Sequence, residues 1–129
     1  MNIYTTYFSN IRNLPENIVP VSITAKPPKK WEGIEYKKLA PKYDILFEWK
    51  RTHDDAQYSE RYCNEILNHL DPKKVIDDLS KISTYNDGKD VALVCYETPR
   101  CFCHRHIVSR WLNQNGCCVK EYVDMRSIK

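Results

Sequence analysis

Glycine is scarce: the 129 residues include three. Phosphate-binding loops of the P-loop and GxGxxG types need several glycines close together, because the backbone must approach the phosphates with no Cβ in the way. Those loops are therefore excluded. There is also no apolar run near the roughly 20 residues that cross a bilayer, and the opening MNIYTTYFSN lacks the basic flank and apolar stretch of an export signal. We accordingly expect a cytoplasmic protein with no membrane partner. Internal repeats and low-complexity tracts are absent too, which removes solenoids and fibrous classes. What is present is ordinary for a folded chain: 42% hydrophobic and 29% charged residues, at a length close to that of one domain.

Six cysteines are distributed unevenly. Cys95, Cys101, Cys103, Cys117 and Cys118 crowd the last third, and Cys63 stands alone. With no export signal, reduced thiols are the expectation.

The stretch IYTTYF (Ile3 to Phe8) is β-branched and aromatic and reads as a strand. IVPVSIT (Ile18 to Thr24) reads as a second, with Pro20 favouring an edge position because it donates no ladder hydrogen bond. Asp44 to Lys50 begins the helical middle. Tyr58, Tyr62, Cys63, Ile66, Leu67 and Leu70 then repeat at helical spacing. Asp71 is placed to cap a further helix with Pro72 at its first position, its buried face supplied by Val75, Ile76, Leu79 and Ile82. VALVCY (Val91 to Tyr96) is apolar almost throughout, as a covered central strand should be. His104 to Asn115 carries Ile107, Val108, Trp111 and Leu112 on one helical face, Gly116 is placed to end it, and CCVKEYV (Cys117 to Val123) closes as a strand. The strand-helix-strand ending demands a parallel pair. We expect one compact α/β domain over residues 1–129, Rossmann-like, with a mainly parallel sheet of about four strands flanked by helices and a Lys-rich loop at 26–42.

In open parallel sheets ligands bind at the carboxyl ends of strands, beside helix N-termini that offer free amides. Residues 97–105 (ETPRCFCHR) occupy that position. Glu97 is the candidate acid or base, Arg100 and Arg105 the anion clamps, and Cys103 and His104 the polar groups at the helix N-terminus. Tyr4, Tyr7 and Asn10, at the end of the first strand, are expected across the same pocket. A cysteine-phosphatase loop does not fit: four residues separate Cys95 from Arg100 and six separate Cys103 from Arg110, where five are needed. No metal is expected, because Cys101, Cys103, His104 and His106 do not show the paired-knuckle spacing of tetrahedral zinc sites. No cofactor is identified.

The expected function is binding, and on a fuller reading processing, of a phosphate-bearing ligand such as a nucleotide or nucleic-acid end. The alternative is a non-enzymatic nucleic-acid- or protein-binding module. It would use the loop at 26–42, whose six Lys and two Glu carry the chain's positive excess. Lys29, Lys30, Trp31, Lys37 and Lys38 would make those contacts. His53, Asp54 and Asp55 more simply cap a helix.

The stretch VALVCYETPRCFCHRHIVSRWLNQNG resembles the hallmark of domain-of-unknown-function family 488, in which a strand ending in Cys and Glu leads through a short loop to Cys-His-Arg at a helix start. Cys95, Glu97, Cys103, His104 and Arg105 match. IYTTYFSN and PVSI look like that family's first strand, turn and second strand, and Tyr62 to Ser83 is similar to its paired helices. The chain departs from the pattern in its extra Cys101 and in Pro20, Val21 and Ser22, which stand where the family commonly has Asp-Val-Arg. The resemblance implies a compact α/β fold with a polar ligand or catalytic site, and a chain of this size with a lysine-rich insertion looks like a phage or bacterial accessory protein.

Overall fold

A computed structural model of the chain describes residues 1–96 and 102–123. The strands are β1 (Ile3–Tyr7), β2 (Ile18–Ser22), β3 (Ile34–Glu35), β4 (Asp90–Cys95) and β5 (Val119–Glu121). The helices are α1 (Tyr43–Thr52), α2 (Asp55–Glu65), α3 (Pro72–Tyr85) and α4 (His104–Gln114). All pairings are parallel, in the order β3-β2-β4-β1-β5. The α/β, Rossmann-like expectation holds. β3 is an additional short strand inside the Lys-rich stretch. Among the described residues no helix is long and apolar enough to cross a membrane.

Local chemistry explains the element ends. The Asp71 carboxylate accepts from the Lys73 amide at 2.9 Å and Pro72 opens α3, which satisfies one orphan donor and removes another. Asp54 does the same for α2, accepting from the Gln57 amide at 3.0 Å. Gly116, at φ +91, closes the end of α4 in the left-handed region where a Cβ would be strained. Pro20 sits in β2, an inner strand, but β3 pairs only with Val21 and Ser22. At Pro20 the strand therefore has β4 alone beside it, which is how an inner strand accommodates a residue with no N–H.

Register sorts the side chains. Ile3, Val21, Val91, Leu93 and Val119 share one face of the sheet, and with Tyr62, Val75, Leu79, Val108 and Leu112 from the helices they form the buried core. Each such side chain contributes about 1.5–3 kcal/mol when fully buried. The opposite face carries Thr6, Ser22, Ala92 and Val94, also buried, and the 3-10 turn Phe8–Asn13 is tied to it by an Asn10 amide donating to the Thr6 hydroxyl at 3.1 Å. Handedness accounts for this division. β1 to β2 steps toward the β3 edge, whereas β3 to β4 and β4 to β5 step toward the β5 edge, so right-handed crossovers must leave on opposite faces. β4 is flanked on both sides by strands whose outgoing chain turns the other way, which opens a crevice at its carboxyl end.

Candidate functional site

That crevice is a cavity of about 800 Å³, within the usual range for small-molecule sites. Its floor consists of Cys95 at the end of β4 and Cys103 and His104 at the start of α4, all buried. Trp49, Tyr58 and Phe102 form an inner aromatic wall, Phe102 meeting Tyr58 edge-on at 5.0 Å and lying 5.9 Å from Trp49. Tyr43 and Phe47 stand one helical turn apart on α1, stacked at 6.4 Å and 56% and 65% exposed. Lys26 and Lys50 supply the charge at the rim. No carboxylate lines the cavity among the described residues. The rim is stitched together by the Tyr96 hydroxyl, which donates to the Lys26 carbonyl at 2.6 Å.

Cys95 and Cys103 are joined by a disulfide, which corrects the expectation of reduced thiols throughout; Cys63, Cys117 and Cys118 are free. β4 ends at Cys95 and α4 begins at His104, and the docking of this helix beside the strand end brings the Cys95 and Cys103 sulfurs together. Burial, aided by Cys118, pushes the Cys117 thiol up and makes it a poorer nucleophile.

The His104 Nε2 lies 2.7 Å from the Ile23 carbonyl oxygen. A carbonyl only accepts, so Nε2 carries the proton and Nδ1 the lone pair. Burial lowers the ring's pKa to about 4, opposed by the Ile23 hydrogen bond and assisted by Arg105 and His106. His104 is therefore neutral at pH 7.

Arg105 is wholly buried. Its Nε and Nη2 each lie 3.1 Å from a Glu121 carboxylate oxygen, and its Nη1 donates to the Cys95 sulfur at 3.2 Å. Its guanidinium lies 5.7 Å from the centre of the Tyr7 ring, and the Thr5 hydroxyl donates to Glu121 at 2.7 Å. This guanidinium lies buried beneath the floor, and Arg105 is not among the residues that line the cavity.

Tyr4, Tyr7 and Asn10 do not meet across one pocket. Alternation along β1 sends Tyr4 and Tyr7 to opposite faces: Tyr4 packs edge-on against Tyr122 at 5.9 Å, Tyr7 lies under Arg105, and Asn10 is buried against Thr6 and Asn13. Glu97, Arg100 and Cys101 lie outside the described residues. In the lysine-rich stretch, Lys37 pairs with Glu35 at 2.9 Å and Lys38 with Asp78 at 3.2 Å, while Lys29 and Lys30 are exposed. Trp31 is partly buried: it meets Phe8 edge-on at 5.3 Å and packs over Gly33, where an added Cβ would come within 2.6 Å of its ring. Asp54 caps α2.

The sequence reading missed Tyr43, Phe47, Trp49, Lys50, Tyr58 and Phe102 as cavity residues. One signal was available: Tyr43 and Phe47, spaced i, i+4, lie off the stripe that buries Ile45, and a matched pair of exposed aromatics on a helix is a surface built for contact.

Residues 8–116 match the family model described as the active DUF488-N3 subclade. No curated protein and no solved structure matches the chain.

Proposed function

The chain belongs to the active DUF488-N3 subclade, and from that premise and the shape of the crevice we propose that it binds and processes a phosphate-bearing ligand, a nucleotide or a nucleic-acid end. The observation that carries this reading is the combination of two lysines and an aromatic wall around one cavity at the carboxyl end of β4. A base would stack against Tyr43 and Phe47 or enter toward Trp49 and Phe102, and each stacked base is worth about 1–3 kcal/mol. Lys26 and Lys50 would draw the phosphate. Processing is included because the subclade is described as active. Glu97 is the proposed acid or base and Arg100 the proposed anion clamp. Cys103 and His104 shape the floor, and Arg105 with Tyr7 supports it from below. Tyr4, packed on Tyr122, and Asn10, bonded to Thr6, take no part in the proposed site.

Calorimetric titration with mono-, di- and triphosphorylated nucleosides and short single-stranded oligonucleotides tests the proposal. Binding should require a phosphate, and Lys50→Ala or Phe47→Ala should weaken it about tenfold each, about 1.4 kcal/mol. Equal affinity of wild type and Lys50→Ala for every phosphorylated ligand would sink it. The alternative, a module working through residues 26–42, has less support because Lys37 and Lys38 are already paired with acids and Trp31 is packed.

A further inference from the structure

The three floor residues converge more closely than a cavity wall requires. The Cys95 sulfur, the Cys103 sulfur and a ring nitrogen of His104 all lie within 4.8 Å of one another, and all three residues are buried. We propose that, with both cysteines reduced, Cys95, Cys103 and His104 form a three-ligand site for a thiophilic divalent cation such as Zn²⁺, its fourth position open to the cavity. The inference does not depend on which organic ligand the cavity takes.

Four observations support it. First, the Ile23 carbonyl holds the Nε2–H of His104 at 2.7 Å, which leaves Nδ1 as the donor atom and fixes the ring. A backbone carbonyl on the far nitrogen is the usual outer-shell partner of a metal-bound imidazole. Second, Nδ1 lies 3.9 Å from the Cys103 sulfur. Bond lengths of about 2.3 Å to sulfur and about 2.0–2.1 Å to nitrogen put two tetrahedral zinc ligands roughly 3.5 Å apart, so this pair needs little adjustment. Third, the Cα atoms of Cys95 and Cys103 are 7.3 Å apart, beyond the span of about 4.4–6.8 Å usual for a disulfide and wide enough for two sulfurs sharing an ion. Fourth, the Arg105 Nη1–H on the Cys95 sulfur, at 3.2 Å, supplies that ligand with its own outer-shell hydrogen bond. Because all three residues line the cavity, the coordination is that of an open zinc site, with three protein ligands and one position for water or substrate.

Disulfide and ion exclude each other. A dithiol reductant converts the Cys95–Cys103 bond to two thiols, two electrons and two protons passing to the sulfurs as the reductant closes into its own disulfide. The cation then displaces the two thiol protons and takes two thiolates and the neutral imidazole as ligands. A small-molecule disulfide reverses this: it takes two electrons from the bound thiolates and two protons from solvent to become a dithiol, the Cys95–Cys103 bond re-forms and the ion is expelled.

The experiment uses the full chain carrying Cys63→Ser, Cys101→Ser, Cys117→Ser and Cys118→Ser, reduced with a dithiol, desalted without oxygen and titrated with Co²⁺. One equivalent should bind, with a thiolate-to-cobalt charge-transfer band and visible bands of tetrahedral intensity. Adding Cys95→Ser or Cys103→Ser should lower the cobalt affinity at least about a hundredfold, since even loss of an outer-shell partner costs about 10–100-fold. His104→Gln should shift or abolish the visible bands, and prior oxidation should prevent uptake. A reduced protein with no charge-transfer band, or one whose band survives Cys95→Ser, would overturn the proposal. Should the multiple variant not fold, alkylation of the reduced natural sequence read by mass spectrometry decides: Zn²⁺ should protect Cys95 and Cys103 together, and equal labelling with and without Zn²⁺ counts against the site.

Discussion

His104 must remain uncharged to occupy its place. Buried, with the Tyr62 ring 5.5 Å away and its Nε2–H held by the Ile23 carbonyl, it sits where an imidazolium would be poorly solvated. Its pKa falls to about 4 in the folded chain, against about 6.5 when unfolded. A depressed folded value means that the unfolded state takes the proton first as pH falls. Stability is therefore full above about pH 6.5 and declines toward pH 4, and this one group contributes up to about 3 kcal/mol of that loss. His106, also lowered chiefly by burial, adds a slope of the same sign. Urea unfolding of the oxidised, metal-free protein across this window should show the decline, and His104→Gln should flatten it relative to wild type. Identical pH slopes for the two would mean that the ring does not stay neutral in the folded state.

At the scale of elements, α1 is the cavity's outer wall and the helix least anchored by apolar burial, since Ile45 is its one fully buried residue. Charge compensates. Arg61 on α2 reaches Asp44 at 2.8 Å and Glu48 at 2.9 Å on α1, and Glu65 on its own helix at 2.7 Å. These hydrogen bonds hold the Asp44 and Glu65 carboxyls below their ordinary range. Their support is present above about pH 4 and is lost as pH falls through the lowered folded values. Arg61→Gln should raise amide hydrogen exchange across residues 43–52 while leaving α3 and β4 protected; unchanged exchange in α1 would show that apolar contacts alone hold the wall. The contrast between α3 and α1 shows what the chain makes legible. Asp71, Pro72 and the Val75–Leu79 spacing announce α3 because capping and periodicity are local. That Tyr43 and Phe47 face a cavity depends on α1 docking beside the end of β2, where the Tyr43 hydroxyl reaches the Ala25 carbonyl at 3.5 Å, and no neighbour in sequence encodes that. β3 escaped notice for a related reason: two residues inside a Pro- and Lys-rich stretch form a strand only because Val21 and Ser22 are there to pair with them.

For the whole molecule, the deepest charge is balanced from the far edge of the sheet. Arg105, from the helix after β4, meets Glu121 on β5, and Glu121 reaches it because Thr5 of β1 fixes the register between them. The Cys-His-Arg run was visible in the sequence, but the acid that meets its guanidinium emerges only when the β1–β5 pairing brings Glu121 alongside. A buried ion pair recovers its desolvation cost only while both members remain, so removing one charge costs more than removing both. Glu121→Gln, which keeps the shape and loses the charge, should lower stability by on the order of 3 kcal/mol. Arg105→Met combined with Glu121→Met should recover part of that loss, because no buried charge is then left partly compensated. Equilibrium unfolding of wild type, Glu121→Gln and the double variant separates the cases. A Glu121→Gln effect within about 0.5 kcal/mol, the range of an ordinary surface substitution, would mean that other groups around Arg105 carry its charge and that β5 is dispensable to the floor of the cavity.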